Sequence, residues 1–363
     1  TAFSRLADDF LAPIRGIIKA TPVTSFIILV WLWLTTTLTP VFIAFLMVTP
    51  IAWANVREGI LAVDAQLLEM AEVFRLPRAK KLRHVYLPAV LPQWLAACTT
   101  GFGFACALPI WRGGGSNCAA GLIHWPEPLR KQALFEHGRA FCVDGDGGAF
   151  KHAAGAVAGA RDAEDTQMIE LAHVHCIYGE KTPIRDLTLI LPDVGVVGVF
   201  GASGAGKTTL LRLLAGLLQP TSGTIEGLAG KRISMVFQED RLLPWLTAVE
   251  NVALVRDGSE ADARALLAVL ALSAEADQLP RALSVGMQRR VALARALNFG
   301  GDVLLLDEPF KGLDAALCAE AAAVVRGRFP LTVIATHDRG EAEALGMTMA
   351  LTVEPGGMWR IGE

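Results

Sequence analysis

Apolar residues are distributed in two different ways along this chain. Over the first third they run in long blocks without charge, and beyond residue 168 they come as short runs ended by glycines or carboxylates. After Lys19 no charged residue appears until Arg57, and the interval holds Ser25 to Leu34 and Val41 to Ala54, with Thr35 to Pro40 as a break. A spanning helix needs roughly 17–25 apolar residues. The interval therefore reads as two membrane helices, about 21–37 and 39–56, joined by a tight turn. A buried hairpin of a soluble protein is the other reading, although soluble helices usually keep one polar face. A third apolar stretch, Leu87 to Trp111, has no charge before Arg112 and is long enough for a crossing over 87–110. Arg75, Arg78, Lys80, Lys81 and Arg83 lie between the second and third stretches. Short basic loops stay on the cytoplasmic side, which orients the whole.

The same alternation changes meaning further on. Val194 to Phe200 is a short Val-rich run of the kind found in a buried strand, and Thr209 to Leu217 has the leucines and length of a helix. Asp302-Val-Leu-Leu-Leu-Asp-Glu308 is a strand ending in two carboxylates, and Leu331 to Ala335 is a further strand. Strands alternating with helices predict an α/β fold with a parallel sheet.

Composition supports this division. Of 363 residues 53% are hydrophobic and 19% charged, with a mean hydropathy of +0.42, so part of the chain is expected to meet lipid. That length implies two or three units. A net charge of -3 gives no reason to propose nucleic acid as a partner. Cys98, Cys106, Cys118, Cys142, Cys176 and Cys318 form no C-x-x-C pair, so metal and disulfide frameworks are both poorly supported. His173, His175 and Cys176 look like a ligand cluster, but the two histidines alternate along an expected strand without a second ligand pair, and a structural role is the better reading. A start at Thr1, with no basic cleavable leader, reads as a truncated beginning.

The stretch from about 112 to 167 fits neither pattern. Arg112-Gly-Gly-Gly-Ser, Trp125-Pro-Glu-Pro and Asp144-Gly-Asp-Gly-Gly are irregular, and Ala153 to Ala160 is linker-like. Charges from Glu127 to Asp144 exclude a further spanning helix. Three crossings that start inside end outside, so one more is needed before Met168 if the remainder of the chain is cytoplasmic. Two accounts stand: a genuine fusion through a flexible linker, or a reading-frame slip. In the second, Ala133 to Asp144 back-translates so that a one-nucleotide shift yields an apolar helix start, and Met168 was the start of a separate protein.

Gly201-Ala-Ser-Gly-Ala-Gly-Lys-Thr208 fits G-x-x-x-x-G-K-[ST] at every fixed position. Gly201, Gly204 and Gly206 let backbone N–H groups, with that of Ser203, turn onto phosphates. Lys207 adds a point charge, and Thr208 can ligate Mg²⁺. The helix that starts at Thr208 and Thr209 points its dipole at the same phosphates. The chain is thus expected to bind a nucleotide.

Further landmarks lie before or after this loop in one order, and together they resemble the ATPase of ABC transporters over 168–363. Tyr178 stands where that family stacks a ring on adenine. Gln238, in Val236-Phe-Gln-Glu-Asp-Arg-Leu-Leu-Pro-Trp245, matches its glutamine loop, which contacts Mg²⁺ and faces the permease; this long form is most similar to nitrate, sulfonate and taurine importers. Leu283-Ser-Val-Gly-Met-Gln resembles the signature, where Ser284 and the N–H of Gly286 would bind the γ-phosphate of ATP held by a second subunit. Val285 replaces a glycine there, and a positive φ at this position would strain a β-branched residue. Asp307 would hold Mg²⁺, Glu308 would deprotonate water, Asp314 would communicate across the dimer, and His337 matches the switch histidine.

Glu69-Met-Ala, Arg75 and Leu87-Pro88 resemble the cytoplasmic coupling loop (69–88) of importer-type ABC permeases, with Arg75 where that family has glycine. The resemblance implies an α/β P-loop NTPase, an ABC-type ATPase with a helical subdomain, preceded by an all-α transmembrane permease fragment over 1–111. It further implies ATP and Mg²⁺ as ligands and a second ATPase subunit, in a homo- or heterodimer. Permease subunits, a separate extracytoplasmic substrate-binding protein and membrane lipid complete the expected partners. The expected place is the inner membrane with the ATPase in the cytoplasm, and the expected function is ATP-driven import of a small solute. A degenerate fusion that binds ATP without transport is the second reading. A soluble ABC-type ATPase of DNA repair or translation is the third, disfavoured by the apolar first third.

Overall fold

The computed structural model describes residues 49, 52–110, 168–178, 181–255, 259–354 and 357–362, and nine strands can be traced among them. The chain divides into two units, Thr1–Ala62 with Ala89–Arg161, and Val63–Pro88 with Asp162–Glu363. The segment expected to be the coupling loop therefore folds with the second unit.

The core of that unit is a six-stranded sheet in the order β5-β6-β7-β3-β8-β9, built from β3 (Gly195–Gly201), β5 (Ile233–Val236), β6 (Val303–Asp307), β7 (Leu331–Ala335), β8 (Met349–Glu354) and β9 (Met358–Gly362). All neighbours are parallel except β8 and β9. A parallel sheet is covered on both faces, so its strands must be apolar throughout. Val197, Val199, Leu304, Leu305, Leu306, Val333 and Ile334 are all fully buried. Beside it lies an antiparallel sheet β2-β1-β4, from β1 (Ile169–Tyr178), β2 (Lys181–Leu191) and β4 (Ser222–Glu226). His173 and His175 lie on β1, where His173 Nδ1 is 2.7 Å from Asp186 Oδ1.

In the first half of the chain, residues 52–61 are helical. Next come α1 (Ala65–Val73), α2 (Arg78–Lys81), a π-helical turn (Leu82–Tyr86) and α3 (Leu87–Ile110). The third apolar stretch is thus a helix of 24 residues with the expected bounds. Among the described residues, however, no helix is long and apolar enough to cross a membrane. The spans expected at 21–37 and most of 39–56 lie outside the described residues, as does the 112–167 stretch with its frame-slip account.

α4 (Lys207–Leu214) comes directly after the phosphate loop. A helical group, α5 (Ala248–Ala253), α6 (Glu260–Val269) and α7 (Val285–Phe299), comes between β5 and β6. Its entry is set by a capping box at Thr247 and Glu250, worth about 1 kcal/mol. α8 (Ala315–Val325) and α9 (Arg339–Leu345) complete the unit.

Candidate functional site

The phosphate loop joins the end of β3 to the start of α4, as the strand-to-helix pattern required. Glycine is needed at its last position: Gly206 has φ +117°, and an added Cβ would lie 2.5 Å from the Pro183 carbonyl oxygen. Lys207 is only 6% exposed, and its ammonium donates to the carbonyl oxygens of Gly201 at 2.8 Å and Ala202 at 3.1 Å. Burial pushes its pKa below the usual lysine range, against the pull of Glu308 and Asp307. A buried ammonium inside a ring of glycines fits a phosphate. Ser203 and Gly204 line the exposed rim, and Thr209 is half-buried in the first turn of α4.

β6 neighbours β7, and β7 neighbours β3, so the C-terminal ends of three adjacent strands meet here. Ligands of open α/β sheets bind at such strand ends. Asp307 closes β6, is 2% exposed, and accepts from Thr208 Oγ1 at 2.8 Å. Burial raises its pKa, while the Thr208 hydrogen bond lowers it. The pair fits a cation with oxygen ligands. Glu308 comes next with φ +48°, a left-handed conformation that a non-glycine residue adopts only under constraint. Its Oε1 lies 3.0 Å from His337 Nε2, and its Oε2 accepts from Lys311 Nζ at 3.1 Å. Burial pushes the Glu308 carboxyl up, but Lys311 and His337 outweigh it and hold the pKa below the usual value.

Gln238 is exposed just beyond β5. Its loop is fastened from behind by α7: Arg289 donates to the carbonyl oxygens of Phe237 and Gln238, each at 2.6 Å. Arg295, fully buried, donates to those of Asp240 and Arg241, each at 2.8 Å. Burial pushes the Arg295 pKa down to about 10. Ser284 is the N-cap of α7, its hydroxyl accepting from the Met287 N–H at 3.3 Å. The expected strain at Val285 is absent: Val285 is the first residue of α7 and has no positive φ, so a β-branched residue fits its backbone. The conformation that demands glycine in the sequence-based expectation belongs to loops, and this position is helical. Asp314 caps α8 by accepting from the Leu317 N–H at 2.8 Å. Its loop abuts the signature, since a Cβ on Gly286 would lie 3.2 Å from the Gly312 carbonyl oxygen. Tyr178 ends β1. Hydrogen bonding thus joins Thr208 to Asp307 and Glu308 to His337, residues adjacent in the chain at 307 and 308, whereas Ser284 and Asp314 cap helices and Gly286 lies in the first turn of α7, outside these contacts.

A second surface of this unit holds segment 63–88. Met70, Ala71, Phe74 and Val85 are at most 1% exposed. Phe74 packs edge-on against Phe299 at 5.3 Å, under the Arg295 guanidinium. Glu69 accepts from Arg241 at 2.7 Å through Oε2 and from Arg212 through Oε1. Trp245 Nε1 donates to the His84 carbonyl oxygen at 2.8 Å, and Lys80 to that of Leu254 at 3.2 Å. Arg75 has φ +47°, which accounts for glycine in the resembling pattern; its guanidinium donates to the Lys231 carbonyl oxygen at 2.7 Å, a contact glycine cannot make. Sequence reading missed Arg212, Arg241, Arg289, Arg295 and Lys311, because their partners lie far along the chain or in a turn whose shape a motif does not reveal.

These features agree with comparison to known proteins. The ABC transporter family model matches residues 184–311. A model described as the binding-protein-dependent transport system inner membrane component matches residues 1–108. An aliphatic sulfonates import ATP-binding protein of Pseudomonas aeruginosa is 40% identical over 181 residues, covering 46% of this chain and 65% of the relative. One from Rhodococcus jostii is 40% identical over 196 residues, covering 52% and 80%. One from Paraburkholderia xenovorans is 45% identical over 174 residues, covering 46% and 70%. The chain thus spans between 65% and 80% of the length of these relatives. With four-fifths of the Rhodococcus relative matched at 40% identity, the chain belongs to the ABC transporter family, its ATP-binding part preceded on the same polypeptide by a stretch similar to the inner-membrane component.

Proposed function

We propose that this chain is the ATP-binding and ATP-hydrolysing part of an importer that couples hydrolysis to uptake of a small solute across the inner membrane. The observation that carries this reading is the junction of Asp307 with Thr208 at 2.8 Å and of Glu308 with His337 at 3.0 Å, at the ends of adjacent strands. Gly201 to Thr208 hold the phosphates of ATP, Tyr178 stacks on the adenine, and Lys207 faces the β and γ groups. Thr208, Asp307 and Gln238 would hold Mg²⁺, which would supply positive charge to offset that developing on the phosphates. Glu308 accepts the proton of the attacking water, and His337 fixes the carboxylate and reaches the γ-phosphate.

Ser284 and the Gly286 N–H complete the site of a second subunit, at the exposed N-terminus of α7 where the helix dipole favours an anion. Dimer closure is transmitted through Gln238 and Asp314 to the segment around Glu69, which the Glu69–Arg241 and Glu69–Arg212 pairs fasten to the ATPase. The ATPase works in the cytoplasm beside permease subunits, and an extracytoplasmic binding protein delivers the solute. The likeness to aliphatic sulfonates import proteins, and the long glutamine loop from Val236 to Trp245, favour a small sulfonate or a similar oxyanion such as taurine or nitrate.

The test is ATP turnover by the full chain in liposomes. Glu308→Gln keeps nucleotide binding and removes the base, so kcat should fall about 10²- to 10⁴-fold, the usual contribution of a positioned general base. Turnover equal to wild type would remove Glu308 from this role.

A further inference from the structure

Lys311 stands in the turn between β6 and α8 with its side chain 65% exposed, while the Glu308 carboxylate that it grips is 14% exposed. The turn is closed by the Lys311 N–H donating to the Glu308 carbonyl oxygen at 3.3 Å and by that of Leu313 donating to Phe310 at 3.1 Å. Both oxygens of Glu308 are engaged by groups with N–H donors: Oε1 by His337 at 3.0 Å, Oε2 by Lys311 at 3.1 Å. The two contacts differ in kind. His337 belongs to the cluster at the strand ends, whereas Lys311 reaches in from the surface on a flexible stem. A base must turn one oxygen to water, and with this lysine in place the outer oxygen is committed to an ammonium.

The turn is also next to the surface offered to a second subunit. Gly312 carbonyl oxygen lies 3.2 Å from where a Cβ on Gly286 would be, and Leu313 Cδ2 at 3.3 Å, so the turn and the start of α7 are in register with each other. A second subunit seated on Ser284, Gly286 and Asp314, as proposed above, would lie beside this turn.

We propose that Lys311 is a positioning residue that restrains Glu308 in the unpaired ATPase, and that its release on closure of a second subunit frees the carboxylate for water. This rests on the reading of Glu308 as the base. Apart from His337, which Glu308 already holds through its other oxygen, the ion pair touches none of the residues assigned to nucleotide binding, so its loss acts on kcat and leaves KM alone. A part-exposed pair is worth little, which sets the size of the effect.

The experiment measures ATP turnover of the full chain in liposomes for wild type, Lys311→Ala, Lys311→Arg and Glu308→Gln. Lys311→Ala should raise basal kcat about two- to five-fold with KM for ATP unchanged, and Lys311→Arg, which keeps a cation, should bring the rate back towards wild type. Raising salt should speed the wild type and leave Lys311→Ala unaffected, because screening weakens exposed pairs. A kcat for Lys311→Ala equal to or below wild type, or a KM that moves in step with kcat, overturns the restraint. Should Glu308→Gln turn over ATP normally, the base assignment itself fails, whatever the lysine variants do.

Discussion

Val285 faces solvent, 70% exposed, in the first turn of α7, and its backbone is helical. Exposure of an apolar side chain costs the monomer little, and φ carries no strain there. Val285→Gly should therefore fail to stabilise the protein: a melting measurement should show equal or lower stability, by up to about 1 kcal/mol from the lost helix preference. A gain would mean that the valine is strained after all. Arg75 is the opposite case. Its φ of +47° has a real cost, which its guanidinium offsets by donating to Lys231 at 2.7 Å. One glycine replacement is thus harmless because the position is helical, and the other is tolerated because a long side chain finds a distant acceptor. Neither distinction is visible in a motif, which records residue types and not dihedral angles.

The turn-and-helix segment 63–88 shows what a single element owes to its surroundings. Its helices are short, and α1 is held by burial of Met70, Ala71 and Phe74 and by the Glu69 pairs rather than by its own propensity. His84 is half-buried at its far end, and its pKa lies below the ordinary 6.5, through desolvation first and then repulsion by Arg83 and Lys80, with Glu250 opposing. The folded state therefore binds fewer protons at His84 than the unfolded chain. This contribution to stability is present above the ordinary histidine value and is lost as pH falls through the lowered one. Thermal stability measured from about pH 8 down to about pH 5 should show a component that drops on the acid side of 6.5. His84→Gln should flatten that component; a slope of the same size in the variant would assign it elsewhere. The basic character of the segment and its likeness to a coupling loop were legible in Arg75, Arg78, Lys80 and Glu69. That it is clamped by Arg212 and Arg241 was not, since those residues lie 143 and 172 positions away.

At the scale of the whole chain, the second unit joins residues 63–88 to residues 162–363, so elements separated by the long intervening sequence share one core. Glu69→Gln tests that union. It leaves Arg241, whose side chain is 8% exposed, with only the more distant carboxylate of Glu239 at 3.8 Å, and should weaken the docking of α1 by about 1.5–3 kcal/mol. Amides of Ala65–Val73 should exchange faster with deuterium by roughly ten- to a hundred-fold, about 1.4 kcal/mol being a factor of ten, while those of β3 should not change. Unchanged exchange over α1 would show that apolar burial alone holds it. By itself, the sequence determined the phosphate loop, the strand-ending carboxylates Asp307 and Glu308, and the order of landmarks, because each depends on local backbone geometry and nearby residue types. Only the tertiary structure decided that Val285 is helical, that Glu69 has two arginine partners, and that Lys311 grips Glu308. Those facts depend on dihedral angles and on side chains brought together by the sheet, and neither is written in the spacing of residues along the chain.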